Sequence, residues 1–366
     1  MEISVLCKVV DNFGDIGVSY RLSKNLKLFY PNHNINLIVS DLAAFKNINS
    51  LVDPSKSFQC IEGVDVYDWN ASDFCKKVFS ENDGAKLSII IECFQCGRPE
   101  WLEDILFVQK LERTVNIIML DYLTAEAYAE DFHCLQSLTR SAKVQKVNFM
   151  PGFTEKTGGL IIGKNWEEVP RYNENGNILI FTYSFDFAPV IKAIGSCGKK
   201  IMIAQGAGKK SFMEAYSKSE NKVLCDELPF MNQNEWDDMM KTCSALFIRG
   251  EESLSRACLS GIPFVWQAYP QSENYHLVKM NALLEVMKPF FDKNHFEIIN
   301  ALWLDFNSYN PNEDNGENIF KHCKAFVENL VPLSEGFKTF ALSLRKNGDL
   351  CHNLMTFIEK KYIINK

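Results

Sequence analysis

Residues 245–248 form a short apolar run that ends abruptly at Arg249-Gly250. A helical pattern starts directly after it, with Leu254, Ala257, Cys258 and Gly261 at i, i+3, i+4 and i+7. This reads as strand, tight turn and helix, and Gly261 followed by Pro263 stops the helix before a next strand at 264–267. The same alternation recurs along the chain. Apolar runs at 3–10, 36–40, 87–91 and 115–120, then at 178–181 and 201–204, are separated by amphipathic stretches such as the one through Arg21, Leu22, Leu26 and Phe29 before Pro31. Near-continuous apolar strands alternating with helices imply parallel, doubly wound α/β sheets with both faces covered.

A chain of 366 residues exceeds one usual core and is expected to divide in two. The stretch 153–170 is rich in Gly, Pro and Lys and lacks periodicity, so it reads as the linker between an N-terminal domain, 1–152, and a C-terminal domain, 171–342. From Glu317 the pattern is helical, with a long last helix expected over about 334–362. A net charge of -7 and the absence of a basic stripe argue against nucleic acid. No apolar run reaches the ~18 residues of a membrane span. Met1-Glu2-Ile3-Ser4 leads into a strand without a basic region or cleavage site, so a cytoplasmic protein without membrane association is expected. Twelve cysteines in such a chain read as reduced thiols. Cys93 and Cys96 form the one C-x-x-C pair, with no second pair at zinc-ligand spacing.

Two loops carry candidate chemistry. Gly250 lets the backbone approach a ligand, Glu251, Glu252 and Ser253 fill the first turn of the helix, and such a helix start is an anion site. Tyr269-Pro270-Gln271 follows the next strand, at the carboxyl edge where open α/β sheets bind ligands. The second loop, Asp11-Asn12-Phe13-Gly14-Asp15-Ile16-Gly17, follows the first strand and holds carboxylates four residues apart, with Gly14 and Gly17 allowing tight turning. Spacing alone leaves two readings open. Asp11 and Asp15 are paired catalytic acids, or Asp11 caps the helix and Asp15 is a solvated first-turn acid. The acids at 251 and 252 likewise read as ligand contacts or as dipole-stabilising residues.

Taken together, these motifs resemble the enzymes that rhamnosylate an arginine of bacterial elongation factor P. The resemblance is carried by Asp11–Gly17, by Glu92-x-Phe94-x-Cys96 with Pro99, by Phe181-x-Tyr183-Ser184, by Leu228-Pro229-Phe230 with Gln233, by Arg249-Gly250-Glu251-Glu252-Ser253 and by Tyr269-Pro270-Gln271. It implies the two-domain GT-B glycosyltransferase fold: two Rossmann-like domains facing a central cleft, the first binding the acceptor and completed by a C-terminal helix at about 343–366, the second binding the nucleotide sugar.

It further implies inverting transfer of L-rhamnose from dTDP-β-L-rhamnose to an arginine of elongation factor P, which serves translation through polyproline. In that reading Asp15 is the general base, Asp11 orients the guanidinium, and Glu251 joins them as a catalytic group that contacts sugar or ribose hydroxyls. Asn12, Phe13, Gly14, Phe181, Tyr183, Phe230, Gln233, Arg249, Gly250, Glu252, Ser253, Tyr269 and Gln271 bind substrate, with no metal and no other cofactor. Phe230 and Gln233 would hold the thymine ring and edge, the alternative being a core phenylalanine and a neighbour of the helix cap. Glu252 departs from the aspartate usual in the family, which puts its direct donor contact in question. The competing activity is a GT-B enzyme acting on a small-molecule or lipid acceptor; a non-catalytic nucleotide-binding protein is the third class.

Overall fold

The structure is a computed structural model that describes every residue except 11–13, 110, 220–222, 311, 313–314 and 364–366. Asp11, Asn12 and Phe13 therefore lie outside the described residues. The chain divides into two compact units: Met1–Gly163 with Asn347–Lys366, and Lys164–Lys346.

The first unit is built on an eight-stranded sheet of β1 (Glu2–Cys7), β2 (Asn34–Val39), β3 (Phe58–Ile61), β4 (Val64–Asp68), β5 (Ile89–Cys93), β6 (Val115–Leu120), β7 (Gln136–Ser137) and β8 (Val144–Phe149). Their order is β3-β4-β2-β1-β5-β6-β8-β7. The strands from β4 to β8 in that order pair in parallel, while β3 and β7 pair antiparallel at the edges. Side chains alternate across a strand, so β1 sends Ile3, Val5 and Cys7 into one core and Leu6 into the other. Helix Gly14–Phe29 covers the first core with Ile16, Tyr20, Leu22 and Leu26; helices Ser72–Gly84 and Glu100–Phe107 cover the second with Phe79, Trp101, Leu102 and Ile105. Two covered faces explain why the strand sequences are continuously apolar.

Several expectations need correction. β1 ends at Cys7, before Val10, which is 75% exposed. Gly14 and Gly17 are not turn residues but lie inside helix Gly14–Phe29. The long last helix is two helices, Leu330–Lys346 and Leu350–Ile358. Gly348 breaks it at φ +79°, and Asp349 caps the second piece through the Cys351 N–H. That second piece belongs to the first unit, where Leu350, Leu354, Met355 and Ile358 are buried. At about 1.5–3 kcal/mol for each large apolar side chain taken from water, this burial offsets much of the cost of ordering one short helix. Asp349 fastens the crossing: its Oδ2 accepts the N–H groups of Ile162 and Gly163, each at 2.8 Å.

The second unit has a parallel five-stranded sheet in the order β11-β10-β9-β12-β13, from β9 (Ile178–Phe181), β10 (Ile201–Ile203), β11 (Cys225–Glu227), β12 (Ala245–Arg249) and β13 (Phe264–Gln267). Helix Glu251–Ser260 follows β12 and ends at Gly261, φ +67°. A Cβ there would stand 2.6 Å from Val169 Cγ1, so both backbone conformation and packing require glycine.

Candidate active site

In the first unit, parallel pairing brings the carboxyl ends of β1, β5 and β6 side by side, with Leu6 opposite Glu92 and Glu92 opposite Met119. Asp15 sits there in the first turn of helix Gly14–Phe29 and is only 3% exposed, so it is not the solvated acid that spacing also allowed. Its Oδ2 accepts the Val10 N–H at 2.9 Å, and its Oδ1 accepts the Tyr122 hydroxyl at 3.2 Å. Donors on both oxygens fix its orientation. Tyr122, just past β6, was not among the residues picked from sequence. The usable signal was its position after Asp121 at the carboxyl edge of a buried strand.

The Glu92 motif forms the neighbouring loop. Glu92 is buried and accepts the Gly97 N–H at 3.1 Å and Arg98 Nη1 at 2.5 Å, while Arg98 Nε donates to Glu103 at 2.6 Å. This network shapes the loop and offers no free carboxylate. The C-x-x-C pair is two free thiols: burial pushes Cys96 up to about 12 and Cys93 well above the ordinary thiol value. Neither is a ready thiolate.

In the second unit, Arg249 at the end of β12 lies between two rings, its guanidinium carbon 4.8 Å from the centroids of both Phe181 and Tyr183. Its Nε is buried without a hydrogen-bond partner, and among the described residues it has no carboxylate partner. Gly250 then takes φ +72°, ψ 158°, and a Cβ on it would meet nothing within 4 Å. The helix that starts at Glu251 adds its N–H groups and the positive end of its dipole. Ser253 is buried in the first turn. Glu252 faces Arg256, its Oε1 3.9 Å from that buried Nε, at ion-pair rather than hydrogen-bond distance. That gives its charge a structural partner.

The Tyr183 N–H donates to Gln267 Oε1 at 2.8 Å, which ties the loop after β9 to the end of β13. Tyr269, 61% exposed, meets Tyr183 edge to face at 5.5 Å. The Gln271 N–H donates to His276 Nδ1 at 3.2 Å, and His276 Nε2 lies 2.8 Å from the Asn307 carbonyl, an arrangement that suits the tautomer with the proton on Nε2. Gln267 and His276 hold the loops that carry Tyr183 and Gln271, and sequence spacing did not reveal them.

Phe230 is 56% exposed and therefore not a core residue. Gln233 is the first residue of helix Gln233–Lys241, whose capping box is supplied by Asn232 and Glu235. The cap thus does not need Gln233. Among the described residues no group of three or more His, Cys, Asp or Glu could hold a metal ion, and no helix is long and apolar enough to cross a membrane.

The sequence matches the family described as Elongation-Factor P (EF-P) rhamnosyltransferase EarP over residues 3–178 and 178–359. The chain belongs to the elongation factor P rhamnosyltransferase family. It is accordingly an enzyme of the glycosyltransferase class. Relatives within the family include the protein-arginine rhamnosyltransferase of Shewanella oneidensis, 26% identical over 400 residues and 97% of each chain. That of Pseudomonas aeruginosa is 27% identical over 337 residues, 83% of this chain and 86% of its own.

Among solved structures, one concerning EarP-mediated arginine glycosylation of translation elongation factor EF-P aligns with a TM-score of 0.61 at 16% identity, covering 99% of this chain and all of its own. A UDP-bound UGT transferase from Siraitia grosvenorii aligns at 0.54 and 8% identity, covering 98% and 99%. Both likenesses concern the fold, which is the two-domain α/β arrangement of GT-B glycosyltransferases.

Proposed function

We propose that this enzyme transfers L-rhamnose from dTDP-β-L-rhamnose to an arginine side chain of elongation factor P, with inversion at the anomeric carbon. The observation that carries the reading is the Asp15 carboxylate, buried and hydrogen-bonded on both oxygens at the carboxyl edge of the first sheet, in a chain of this family.

An arginine guanidinium is protonated at neutral pH and its lone pairs are delocalised, so it is a poor nucleophile until a carboxylate binds it and takes a proton. Asp15 is that base, and Asp11 orients the guanidinium. As the bond from an arginine nitrogen to the sugar C1 forms, the bond from C1 to the diphosphate oxygen breaks and its electron pair leaves with dTDP. The proton lost by the guanidinium goes to Asp15. Attack from the face opposite the diphosphate turns the β donor into an α-linked product. The growing charge on the leaving diphosphate meets the Arg249 guanidinium, the Ser253 hydroxyl and the N–H groups at the Glu251 helix start. Glu251 contacts sugar or ribose hydroxyls, and the thymine lies against Phe230 with its edge on Gln233.

Mass spectrometry of elongation factor P after incubation with the enzyme and dTDP-rhamnose tests the reading. The expected result is one deoxyhexosyl residue on one arginine. An unmodified acceptor, with rhamnose passed instead to a small molecule or to water, would refute it.

A further inference from the structure

From the arrangement around Asp15 we infer that Tyr122 is a positioning residue for the transfer reaction, its phenolic hydroxyl setting the plane of the Asp15 carboxylate. The inference rests on the reading of Asp15 as general base.

The terminal torsion of a carboxylate is broad, so the side chain does not fix its own plane. The Val10 N–H on Oδ2 restrains one oxygen, and a donor on the other restrains rotation about that contact. The Tyr122 hydroxyl, 3.2 Å from Oδ1, holds it. Tyr122 is 38% exposed and lies outside the packed cores, so its ring is not there to fill the interior.

The tyrosine is itself held with unusual care. Its ring stacks on Phe94 at 4.5 Å and 21°. Phe94 and Gln95 both have left-handed backbones, φ +57° and +51°, which side chains adopt at a cost and only when the surroundings enforce them. The enforcement is visible on each side. The Phe94 N–H donates to the Leu120 carbonyl at 2.7 Å, and Gln95 Nε2 donates to Asp121 Oδ2 at 3.0 Å. Asp121 Oδ1 in turn accepts the Tyr122 N–H at 2.8 Å. On the far side, Glu92 clamps Gly97 and Arg98. A loop stiffened at both ends thus presents a ring as the seat for Tyr122. This gives the Glu92 motif a part in holding Tyr122.

Steady-state kinetics with elongation factor P and dTDP-rhamnose, alongside thermal melting and calorimetric dTDP binding, test the inference. Tyr122→Phe keeps the stacked ring and removes the hydroxyl. The expected result is a fall in kcat of about ten- to a hundredfold, because small misplacements of a catalytic group are costly. KM for both substrates, dTDP affinity and melting temperature should stay near wild type. Phe94→Ala, which keeps the hydroxyl and removes its seat, should show the same split between kcat and KM to a smaller extent.

Wild-type turnover by Tyr122→Phe, with Asp15→Asn inactive, would overturn the assignment of Tyr122 alone. A loss of kcat matched by lower melting temperature and weaker dTDP binding would also overturn it, as a structural role. Near-normal turnover by Asp15→Asn would instead remove the reading on which the inference rests.

Discussion

Replacing Arg249 with Met should weaken dTDP binding while leaving the fold almost unharmed. Two contacts would be lost from the free protein, the stacking of the guanidinium on Phe181 and on Tyr183. Each is worth about 0.5–1 kcal/mol at a partly exposed site. Against that stands the buried Nε without a hydrogen-bond partner, whose removal relieves a desolvation cost of about 1–3 kcal/mol. These terms nearly cancel, and a residual of ~1 kcal/mol moves the melting temperature of a domain this size by only about 2–4 °C. The ligand side has no such cancellation. Loss of charge-assisted hydrogen bonds to a phosphate costs about 1.5–3 kcal/mol, so the dissociation constant for dTDP should rise roughly ten- to 150-fold. Arg249→Lys keeps the charge but not the planar fork and should fall between the two. Calorimetric titration with dTDP, paired with thermal melting, reads both quantities. Unchanged affinity for the Met variant would refute the diphosphate role, and a stability loss above about 3 kcal/mol would show that Arg249 is structural.

Asp15→Asn should reduce transfer by at least the ~10²- to 10⁴-fold typical of general-base loss while dTDP binding stays nearly intact, and substantial turnover in a single-turnover assay would end the assignment. Phe230→Ala and Gln233→Ala should each weaken dTDP binding by about 1–3 kcal/mol with little change in melting temperature, since Phe230 is exposed and the helix cap is made by Asn232 and Glu235; normal binding by both, or equal wild-type affinity for UDP, would remove the base clamp. Chelation with EDTA should leave rhamnosyl transfer unchanged, and loss of activity restored by a divalent cation would contradict a metal-free diphosphate site. Asp349→Ala removes one cap bond and leaves the buried N–H groups of Ile162 and Gly163 without their acceptor, so urea unfolding should show a loss of about 3–5 kcal/mol with dTDP affinity unchanged; a loss near zero would mean these groups find other partners.

The parallel strands were legible because burial on both faces leaves their sequences continuously apolar, as in β1, β5 and β6. The hairpin of β3 and β4 was not. β3 alternates exposed and buried residues over only four positions, a weak pattern beside the longer runs. Its signal lay in Glu62-Gly63, where both residues take positive φ, as a two-residue hairpin turn requires. The break in the last helix was hidden for the opposite reason. Apolar periodicity continues on both sides of Asn347-Gly348-Asp349, and only the glycine and the capping aspartate mark the stop. Within the site, contiguous residues such as Arg249-Gly250-Glu251 could be read in sequence because one turn holds them together. Tyr122, Phe94 and Asp15 could not be joined that way, since the register of β1, β5 and β6 brings them together across more than a hundred positions.

In the proposed reaction, the contrast between Asp15 and Arg249 follows from the task each would have. A general base has to be held in one orientation before the acceptor arrives, and a carboxylate has enough lone pairs to accept two protein donors and still receive a proton. Asp15 is accordingly hydrogen-bonded on each oxygen by its own unit. A guanidinium has only donors, and every one spent on the protein is withheld from the diphosphate. Arg249 instead has its guanidinium carbon 4.8 Å from the ring centroids of Phe181 and Tyr183, contacts that hold it without using an N–H group. The buried Arg249 Nε has no hydrogen-bond partner among the described residues, and in the proposed complex a bound diphosphate would remove that deficit. On this reasoning the donor nucleotide should stabilise the enzyme by more than its contact area alone implies, and Arg249→Met should lose most of that extra stabilisation.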